Sequence, residues 1–225
     1  CAVVASVDID HTDYLGETRE QIAYEKAGIF RKGRAAICAD SDVPLAMEEY
    51  AGKIGAQLWR IGHEFGFQLT SPAVGEGAVG EGGVQWNYRS KAGMRSSLPY
   101  PALRGTFQLH NASAALAALD AMKERLPVSM DAVRRGLNEV QLAGRFQMAP
   151  GKPALILDVA HNPHAARALA QNLAGLPACP RTYAVFAMLK DKDIAGVAKA
   201  LDPHIDTWLV AGIDAPRGAS SRDME

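Results

Sequence analysis

The sequence is poor in cysteine and has no excess of charge of either sign. Its three cysteines, Cys1, Cys38 and Cys179, lie far apart along 225 residues, which excludes the paired spacing of a zinc site and a framework of disulfides. The 24 basic and 25 acidic side chains leave a formal net charge of -1. The composition therefore predicts no binding to nucleic acid or to a membrane surface, and the cytoplasm is the expected compartment.

Long apolar runs are missing as well. No stretch approaches the roughly 20 consecutive apolar residues of a membrane-spanning helix, and the sequence has neither a secretory signal nor an internal repeat. The glycine-rich run at residues 75–83 is not followed by Gly-Lys-Ser or Gly-Lys-Thr. It is therefore not a phosphate-binding loop, and we interpret it as a connector.

The two ends of the sequence favour a piece of a longer protein. The chain begins on Cys1 rather than Met and runs at once into the apolar residues 2–7, which predict a buried strand. Residues 217–225 are typical of a loop that enters a helix.

Hydrophobic periodicity predicts an α/β fold. Strand patterns occur at residues 2–7, 35–38, 58–69, 84–88, 154–159, 183–187 and 207–210; helix patterns occur at 17–30, 44–54, 109–125, 130–137, 163–173 and 194–201. Ser129 and Asn162 are predicted N-caps. The strand at 154–159 is expected to be buried, and the alternation around it predicts a parallel sheet with crossover helices. A boundary near residue 142 gives domains of residues 1–142 and 143–225.

An acidic motif with one histidine follows the first predicted strand, where residues 8–16 are DIDHTDYLG. Open α/β sheets bind ligands at the carboxyl ends of their strands. Carboxylates suit Mg²⁺, and the neutral nitrogen of His11 can join such an oxygen-rich set. A polar loop that caps the sheet is the alternative, and both interpretations stay open at this point.

A second motif, residues 25–30 with the sequence EKAGIF, places Lys26 in an apolar helix end. A lysine between Ala23, Ala27 and Ile29 would more readily be neutral and nucleophilic, and could react with carbon dioxide to give a carbamate that binds a metal. A surface lysine that extends its ammonium into water is the alternative.

Together the two motifs resemble the folylpolyglutamate synthase/dihydrofolate synthase branch of the Mur ligase superfamily. Leu15-Gly16 and the Lys-Ala-Gly-Ile run favour this branch over the muramyl ligases. The resemblance implies that His11 binds magnesium and that Lys26 is carbamylated and supports the metal and phosphate site. It also implies that residues 1–142 are the C-terminal part of a central ATP-binding domain, and that 143–225 form a truncated, Rossmann-like glutamate-ligase domain.

The resemblance continues through the rest of the chain. Residues 108–115 (QLHNASAA) and 144–147 (GRFQ) are similar to family segments that contact the nucleotide, which implies ATP binding by Asn111 and Arg145. An Asn amide suits an adenine edge and a guanidinium suits phosphate. Without the resemblance, Asn111 would be interpreted as a helix cap and Arg145 as a solvated charge.

The most specific motif of the second domain is LDVAHNPHAA at residues 157–166. It ends a strand with Asp158 and begins a helix with Pro163, and a helix N-terminus favours phosphate or carboxylate. The resemblance implies that Asp158 binds ATP and that His161 lies near the reacting phosphate and glutamate. Residues 187–193 (AMLKDKD) also match a family signature, to which we assign no role.

The implied activity is ATP- and Mg²⁺-dependent ligation of L-glutamate to dihydropteroate or to folate polyglutamates through an acyl phosphate, by a monomer. A muramyl amino-acid ligase is the rival enzyme. An inactive nucleotide-binding module is the rival outside catalysis. The resemblance implies that the family's phosphate loop lies upstream of Cys1, so we expect the 225-residue chain alone to be inactive.

Overall fold

The computed structural model describes residues 1–9, 15–70, 85–103, 105 and 107–224. These residues form two compact units: the first ends at Gln141, and the second contains Leu142–Glu225. The strands are β1 (Ala2–Val4), β2 (Ala35–Cys38), β3 (Gln57–Arg60), β4 (Phe65–Leu69), β5 (Gln85–Ser90), β6 (Gly93–Pro99), β7 (Gln147–Ala149), β8 (Leu155–Leu157), β9 (Tyr183–Phe186) and β10 (Thr207–Val210). The helices are α1 (Arg19–Ala27), α2 (Leu45–Ile54), α3 (Gln108–Ala121), α4 (Met130–Glu139), α5 (Pro163–Ala174) and α6 (Ile194–Leu201).

The first unit is built on a parallel sheet with strand order β1-β2-β3. Successive side chains of a strand point to opposite faces. Ala36 and Cys38 of β2 accordingly belong to the apolar cluster that includes α1 and α2, whereas Ile37 belongs to the cluster that includes α3. Both faces of the central strand are therefore covered, as a parallel sheet requires.

A second sheet of the first unit is antiparallel, with order β4-β5-β6. Its Trp86 and Tyr88 are fully buried in the same cluster as α3. The carboxylate of Asp120 on α3 accepts hydrogen bonds from Tyr88 Oη at 3.0 Å and Ser90 Oγ at 2.6 Å, and pairs with Arg95 at 2.6 Å. Burial, together with the nearby Asp120 charge, raises the pKa of Tyr88.

The second unit combines an antiparallel hairpin, β7-β8, with a parallel pair, β9-β10. Its core lies where α5 and α6 pack together, around the buried Ala166, Val197 and Leu201. Phe186 of β9 and Trp208 of β10 pack against this core in an edge-to-face contact with ring centroids 5.3 Å apart.

The α/β class is confirmed, and most predicted elements are present within a few residues. Two elements, β6 and β7, were not predicted. The expectation of a buried strand at 154–159 is wrong: Leu155 is 53% and Leu157 44% exposed. The parallel sheet holds for β9 and β10, but β8 pairs antiparallel with β7. The connector predicted at 75–83 lies outside the described residues.

Among the described residues, no helix combines the length and the apolar character needed to cross a membrane. The helix caps agree with expectation. Ser129 accepts from the amide of Ala132, and Asn162 accepts from that of Ala165.

Candidate functional site

Helix α1 begins at Arg19 because the side chains of Thr18 and Gln21 each accept a hydrogen bond from the other's backbone amide. Thr18 Oγ1 accepts from the Gln21 amide at 3.2 Å, and Gln21 Oε1 accepts from the Thr18 amide at 3.1 Å. Such a capping box fixes the first turn. The helix then runs through its buried face to Lys26 in its last turn.

The side chain of Lys26 returns toward the segment that follows β1. Its Nζ donates to the carbonyl oxygen of Ser6 at 3.0 Å, and the residue is half-buried. Ala23 and Ala27 are fully buried, as the sequence indicated, but Ile29 is 51% exposed and does not enclose the amine. Lys26 therefore lies against the sheet edge rather than fully in water.

His11, the predicted magnesium ligand, lies outside the described residues. Within the part of the chain that the structure describes, no three His, Cys, Asp or Glu side chains are grouped to hold a metal ion. The nearby carboxylates of Asp40 and Asp42 are both paired with Arg19. Lys26 is a described residue at this edge that would fit a magnesium site when carbamylated, because a carbamate on Nζ would supply hard oxygen ligands.

Sequence patterns missed the network around Arg19. This guanidinium joins the loops that follow β1 and β2, since it donates to Val7 O at 2.8 Å and to Asp40 Oδ1 at 2.9 Å. The pKa of Arg19 is raised because its contacts with Asp40 and Asp42 outweigh the opposing effect of burial. No local motif indicates these contacts, which span 12 to 23 residues.

Asn111 lies inside α3 and is exposed. The residue at the N-cap position is Phe107, so the interpretation of Asn111 as a helix cap is wrong. Its Nδ2 donates to Gln108 Oε1 at 3.3 Å, one turn earlier on the same helix. The amide is therefore presented on the helix surface and is not required to begin the helix.

In the second unit, the turn that carries Arg145 is bound directly to the strand end that carries Asp158. The Phe146 amide donates to Asp158 Oδ2 at 2.8 Å, and the Val159 amide donates to the Gly144 carbonyl at 2.9 Å. Gly144 has φ +67, and a Cβ there would meet Val159 Cγ1 at 2.7 Å. The structure thus brings together two predicted ATP-binding residues, through a turn that only glycine fits.

The side chains of the two predicted ATP-binding residues are exposed, although hydrogen bonds hold the backbone segments that carry them. Arg145 and Asp158 are both exposed. Asp158 Oδ1 also accepts from the Ala160 amide at 2.8 Å, so backbone donors orient both carboxylate oxygens. Each oxygen keeps a second lone pair with which it can accept from a ligand hydroxyl.

His161 follows in the same loop, just before the Asn162 cap of α5. Its Nδ1 lies 2.9 Å from the carbonyl oxygen of Val159. Because a carbonyl only accepts, Nδ1 carries the hydrogen and Nε2 is the acceptor of the neutral ring. This tautomer can accept a proton or a hydrogen bond at Nε2.

The charged loop at 187–193 has structural contacts of its own. Arg217 pairs with Asp191 through two hydrogen bonds, at 2.7 and 3.2 Å, which lower the pKa of Asp191. Asp193 accepts from the Gly196 amide and caps α6. Asp191 and Asp193 therefore each have a structural contact within the protein.

Comparison with known proteins places these observations in a family. The family described as "Mur ligase, glutamate ligase domain" matches residues 144–225. The dihydrofolate synthase/folylpolyglutamate synthase of Escherichia coli is 40% identical over 223 residues, which is 99% of this chain and 49% of that protein. The chain spans about half the length of the curated relatives it matches.

Solved structures agree over the same extent. FolC of E. coli in complex with ADP is similar with a TM-score of 0.87 and 39% identity, over 99% of this chain and 50% of that one. A bifunctional folylpolyglutamate synthase/dihydrofolate synthase with Mn, AMPPNP and L-glutamate bound has a TM-score of 0.83 and 38% identity, over the same shares. The chain therefore belongs to the folylpolyglutamate synthase/dihydrofolate synthase family of the Mur ligase superfamily.

Proposed function

We propose that the protein containing this chain is an ATP-dependent ligase that joins L-glutamate to dihydropteroate, to folate polyglutamates, or to both. The carboxylate of the acceptor takes the γ-phosphate of ATP to become an acyl phosphate. The amine of L-glutamate then attacks the acyl carbon and phosphate leaves. The protein's task is to hold the reactants together and to stabilise charge on the transferring group.

One observation carries this proposal: the turn Gly144–Phe146 is hydrogen-bonded to Asp158. It occurs in a chain that aligns over 99% of its length with about half of a curated synthase. This contact brings the backbone segments that carry Arg145 and Asp158 together at the end of β8. A planar guanidinium suits the phosphates of ATP, and a carboxylate suits the ribose hydroxyls. We therefore assign ATP binding to Arg145 and Asp158.

Two other residues receive roles on the same basis. His161, in the loop after Asp158, lies near the reacting phosphate and glutamate. Its Nδ1–H is oriented by Val159 O, so Nε2 can bind or move a proton there. Asn111 presents its amide on α3 to the nucleotide base.

Magnesium would be held by His11 and by Lys26 in its carbamylated form. The ion would supply charge neutralisation for the phosphate oxygens. Lys26 forms its carbamate when the neutral amine attacks carbon dioxide, a C–N bond forms and one proton leaves. The nitrogen keeps one hydrogen, which can still bind the Ser6 carbonyl.

We propose residues 1–142 as the C-terminal part of the central ATP-binding domain and residues 143–225 as the glutamate-ligase domain. The family match at 144–225 and the division of the fold after Gln141 support this boundary. We further propose that the protein is a cytoplasmic monomer, and that the 225-residue chain does not ligate glutamate by itself.

The test is a coupled assay of ADP formation with the complete protein. We expect ADP only when ATP, L-glutamate and a pteroate or folate are all present. Turnover with a UDP-muramyl acceptor, and none with any folate, would replace this proposal with the muramyl ligase alternative. ATP binding without any turnover would favour an inactive nucleotide-binding module.

A matched pair of variants tests the assignment of Asp158. Asp158→Asn should raise the KM for ATP about 10-fold, because the neutral amide is a poorer acceptor for a hydroxyl and holds the turn less firmly. Asp206→Asn is the control. Asp206 is also exposed and also accepts from a backbone amide, that of Thr182 at 2.7 Å, but it precedes its strand, β10, whereas Asp158 follows β8. An equal effect of both substitutions would remove Asp158 from the ATP site.

A further inference from the structure

The short segment between β1 and the predicted metal-binding motif is held by side chains at three backbone atoms. The Ser6 carbonyl accepts from Lys26 Nζ at 3.0 Å. The Val7 amide donates to Asp40 Oδ2 at 2.7 Å, and the Val7 carbonyl accepts from Arg19 Nε at 2.8 Å. Two consecutive residues are therefore fixed by two elements: helix α1, through its first and last turns, and the loop after β2.

Arg19 and Asp40 also bind each other, which makes the arrangement a closed ring of contacts. The terminal nitrogen of Arg19 lies 2.9 Å from Asp40 Oδ1, while the other oxygen of that carboxylate holds the Val7 amide. The Asp40 side chain is 11% exposed and that of Arg19 31%. A pair this well shielded is less screened by solvent than a surface ion pair.

Asp42 completes the binding of the guanidinium but does not touch the segment. It accepts from Arg19 at 2.5 Å through its carboxylate and through its carbonyl oxygen, and its side chain is 87% exposed. Its carboxylate is therefore a solvated partner of Arg19. Within the group formed by Arg19, Asp40 and Asp42, the contacts to the segment come from Arg19 and Asp40.

We propose that Arg19 and Asp40 are positioning residues of the ligase: they fix Val7 and the peptide that joins it to Ser6, and thereby the Ser6 carbonyl that orients Lys26. This rests on the proposed function, since Lys26 is a proposed magnesium-binding group. The proposal gives neither residue a contact with the reactants. Residues that hold metal ligands in place typically contribute 10- to 100-fold in metal affinity or activity.

Arg60 provides a matched control at the same edge of the same sheet. It ends β3, its side chain is 29% exposed, and it pairs with Glu48 at 2.7 Å and Glu64 at 3.1 Å. It is thus an arginine of similar burial that also binds two acids. It has no hydrogen bond with Ser6 or Val7: Val7 is held by Arg19 and Asp40, and Ser6 by Lys26.

The experiment compares Arg19→Lys, Asp40→Asn, Asp42→Asn and Arg60→Lys in the complete protein. A lysine keeps the charge, but its single nitrogen cannot span the four acceptors that the three nitrogens of the Arg19 guanidinium reach. Two quantities are measured: the Mg²⁺ concentration that gives half-maximal ligation, and amide hydrogen exchange of the peptide that contains Ser6 and Val7. The KM for ATP and the melting temperature are recorded for every variant.

We expect Arg19→Lys and Asp40→Asn to raise the half-maximal Mg²⁺ concentration about 10-fold, with the KM for ATP changed less than about twofold. The Ser6–Val7 peptide should exchange at least about 10-fold faster in both variants. Asp42→Asn should have a smaller effect on both quantities. Arg60→Lys should lower the melting temperature without changing either one.

Equal responses of Arg19→Lys and Arg60→Lys would overturn the proposal, because both residues would then act only through stability. Faster exchange with an unchanged Mg²⁺ dependence would also overturn it, because the segment would then not position the metal-binding groups. If the unsubstituted protein ligates no glutamate to any folate, the proposed function fails. The exchange measurement then still decides whether Arg19 and Asp40 hold the segment. If Arg19→Lys does not fold, the nearly isosteric Asp40→Asn provides the same comparison.

Discussion

The two units of the chain hold their charged side chains in opposite ways. In the first unit, Asp120 is 7% exposed and binds three side chains, and Arg19 and Asp40 bind each other and the backbone. In the second unit, Arg145 and Asp158 are exposed, and hydrogen bonds to backbone groups hold the loops that carry them. One unit fixes its side chains, and the other fixes the backbone beneath them.

This difference predicts how substitutions in the two units should affect the protein. Where side chains bind one another, losing one leaves a partner without its counter-charge inside the protein. Where the backbone is fixed, a substitution of a glycine, or of a side chain that accepts from a backbone amide, shifts the loop. The other side chains on that loop are then displaced although they are not themselves substituted. Stability measurements should therefore separate the units more clearly than activity measurements do.

The largest effect is expected at Lys26, which links the fixed side chains of the first unit to the proposed chemistry. Lys26→Ala in the complete protein should lower kcat by about 100-fold or more, the magnitude found when a group that stabilises transition-state charge is removed. A small carboxylate such as formate or acetate should restore part of the rate, since it replaces the carbamate oxygens. Rates with and without the added carboxylate are the measurement.

Two controls accompany this prediction. Lys53→Ala, which removes a lysine from the last turn of α2, should leave the rate unchanged and should not respond to carboxylate. Unimpaired ligation by Lys26→Ala, with a bare ammonium seen at Lys26 in a magnesium-bound structure, would remove this lysine from the metal site.

The next effect contrasts an ion pair in each unit. Asp120→Ala should lower the free energy of unfolding of the first unit by about 3 kcal/mol, because Arg95 and Tyr88 lose their shared buried partner. Asp191→Ala, which removes the exposed partner of Arg217 in the second unit, should leave its stability unchanged. Hydrogen exchange read by mass spectrometry reports each unit separately. Comparable losses in both units would contradict the contrast.

A smaller loss is expected where the second unit depends on its backbone. Gly144→Ala should cost about 2 kcal/mol, of which about half is the positive φ and the rest the contact with Val159. Adding Val159→Ala should recover only the second part. Gly33→Ala isolates the first part, because Gly33 has the same φ of +67 with nothing within 4 Å of its Cβ position. Hydrogen exchange of residues 144–160 is the measurement, and a full recovery in the double variant would exclude the φ contribution.

The smallest effect is a dependence on pH in the first unit. Burial alone would raise the pKa of Glu64, but hydrogen bonds and charge from Arg60 outweigh it and lower that pKa. A carboxyl whose pKa is lower in the folded state stabilises the protein above its unfolded pKa of about 4.3, and this contribution is lost as pH falls through the folded value. We expect less than about 1 kcal/mol. Urea unfolding between pH 3 and 7 should show this loss in the unsubstituted protein and not in Glu64→Gln.

Sequence patterns predicted elements best where the signal is local. Ser129 and Asn162 cap their helices as expected, because an N-cap depends on residues only three positions apart. The strand at Ala35–Cys38 and the helix at Ile194–Leu201 have the predicted bounds. Strand β6 was missed because its residues Gly93–Pro99 are mostly small or polar. It forms through pairing with β5, which no periodicity within seven residues reveals.

The candidate site shows the same limit more sharply. The family motifs indicated Arg145 and Asp158. Their proximity, however, depends on a hydrogen bond between Phe146 and Asp158, which lie 12 residues apart in the sequence. The contacts of Arg19 depend on the register of β1 against β2, which sequence patterns do not define. Leu155 and Leu157 were expected to be buried because they are apolar, yet apolar residues can also remain on a surface.

The hydrogen bond from the Phe146 amide to Asp158 has an evolutionary consequence. No substitution other than proline can remove a backbone amide, so only the acceptor at 158 is free to change. A lineage that lost this carboxylate would need another acceptor for the same donor, and one that lost Gly144 would need a smaller residue at 159. We therefore expect the two motifs to covary across the family.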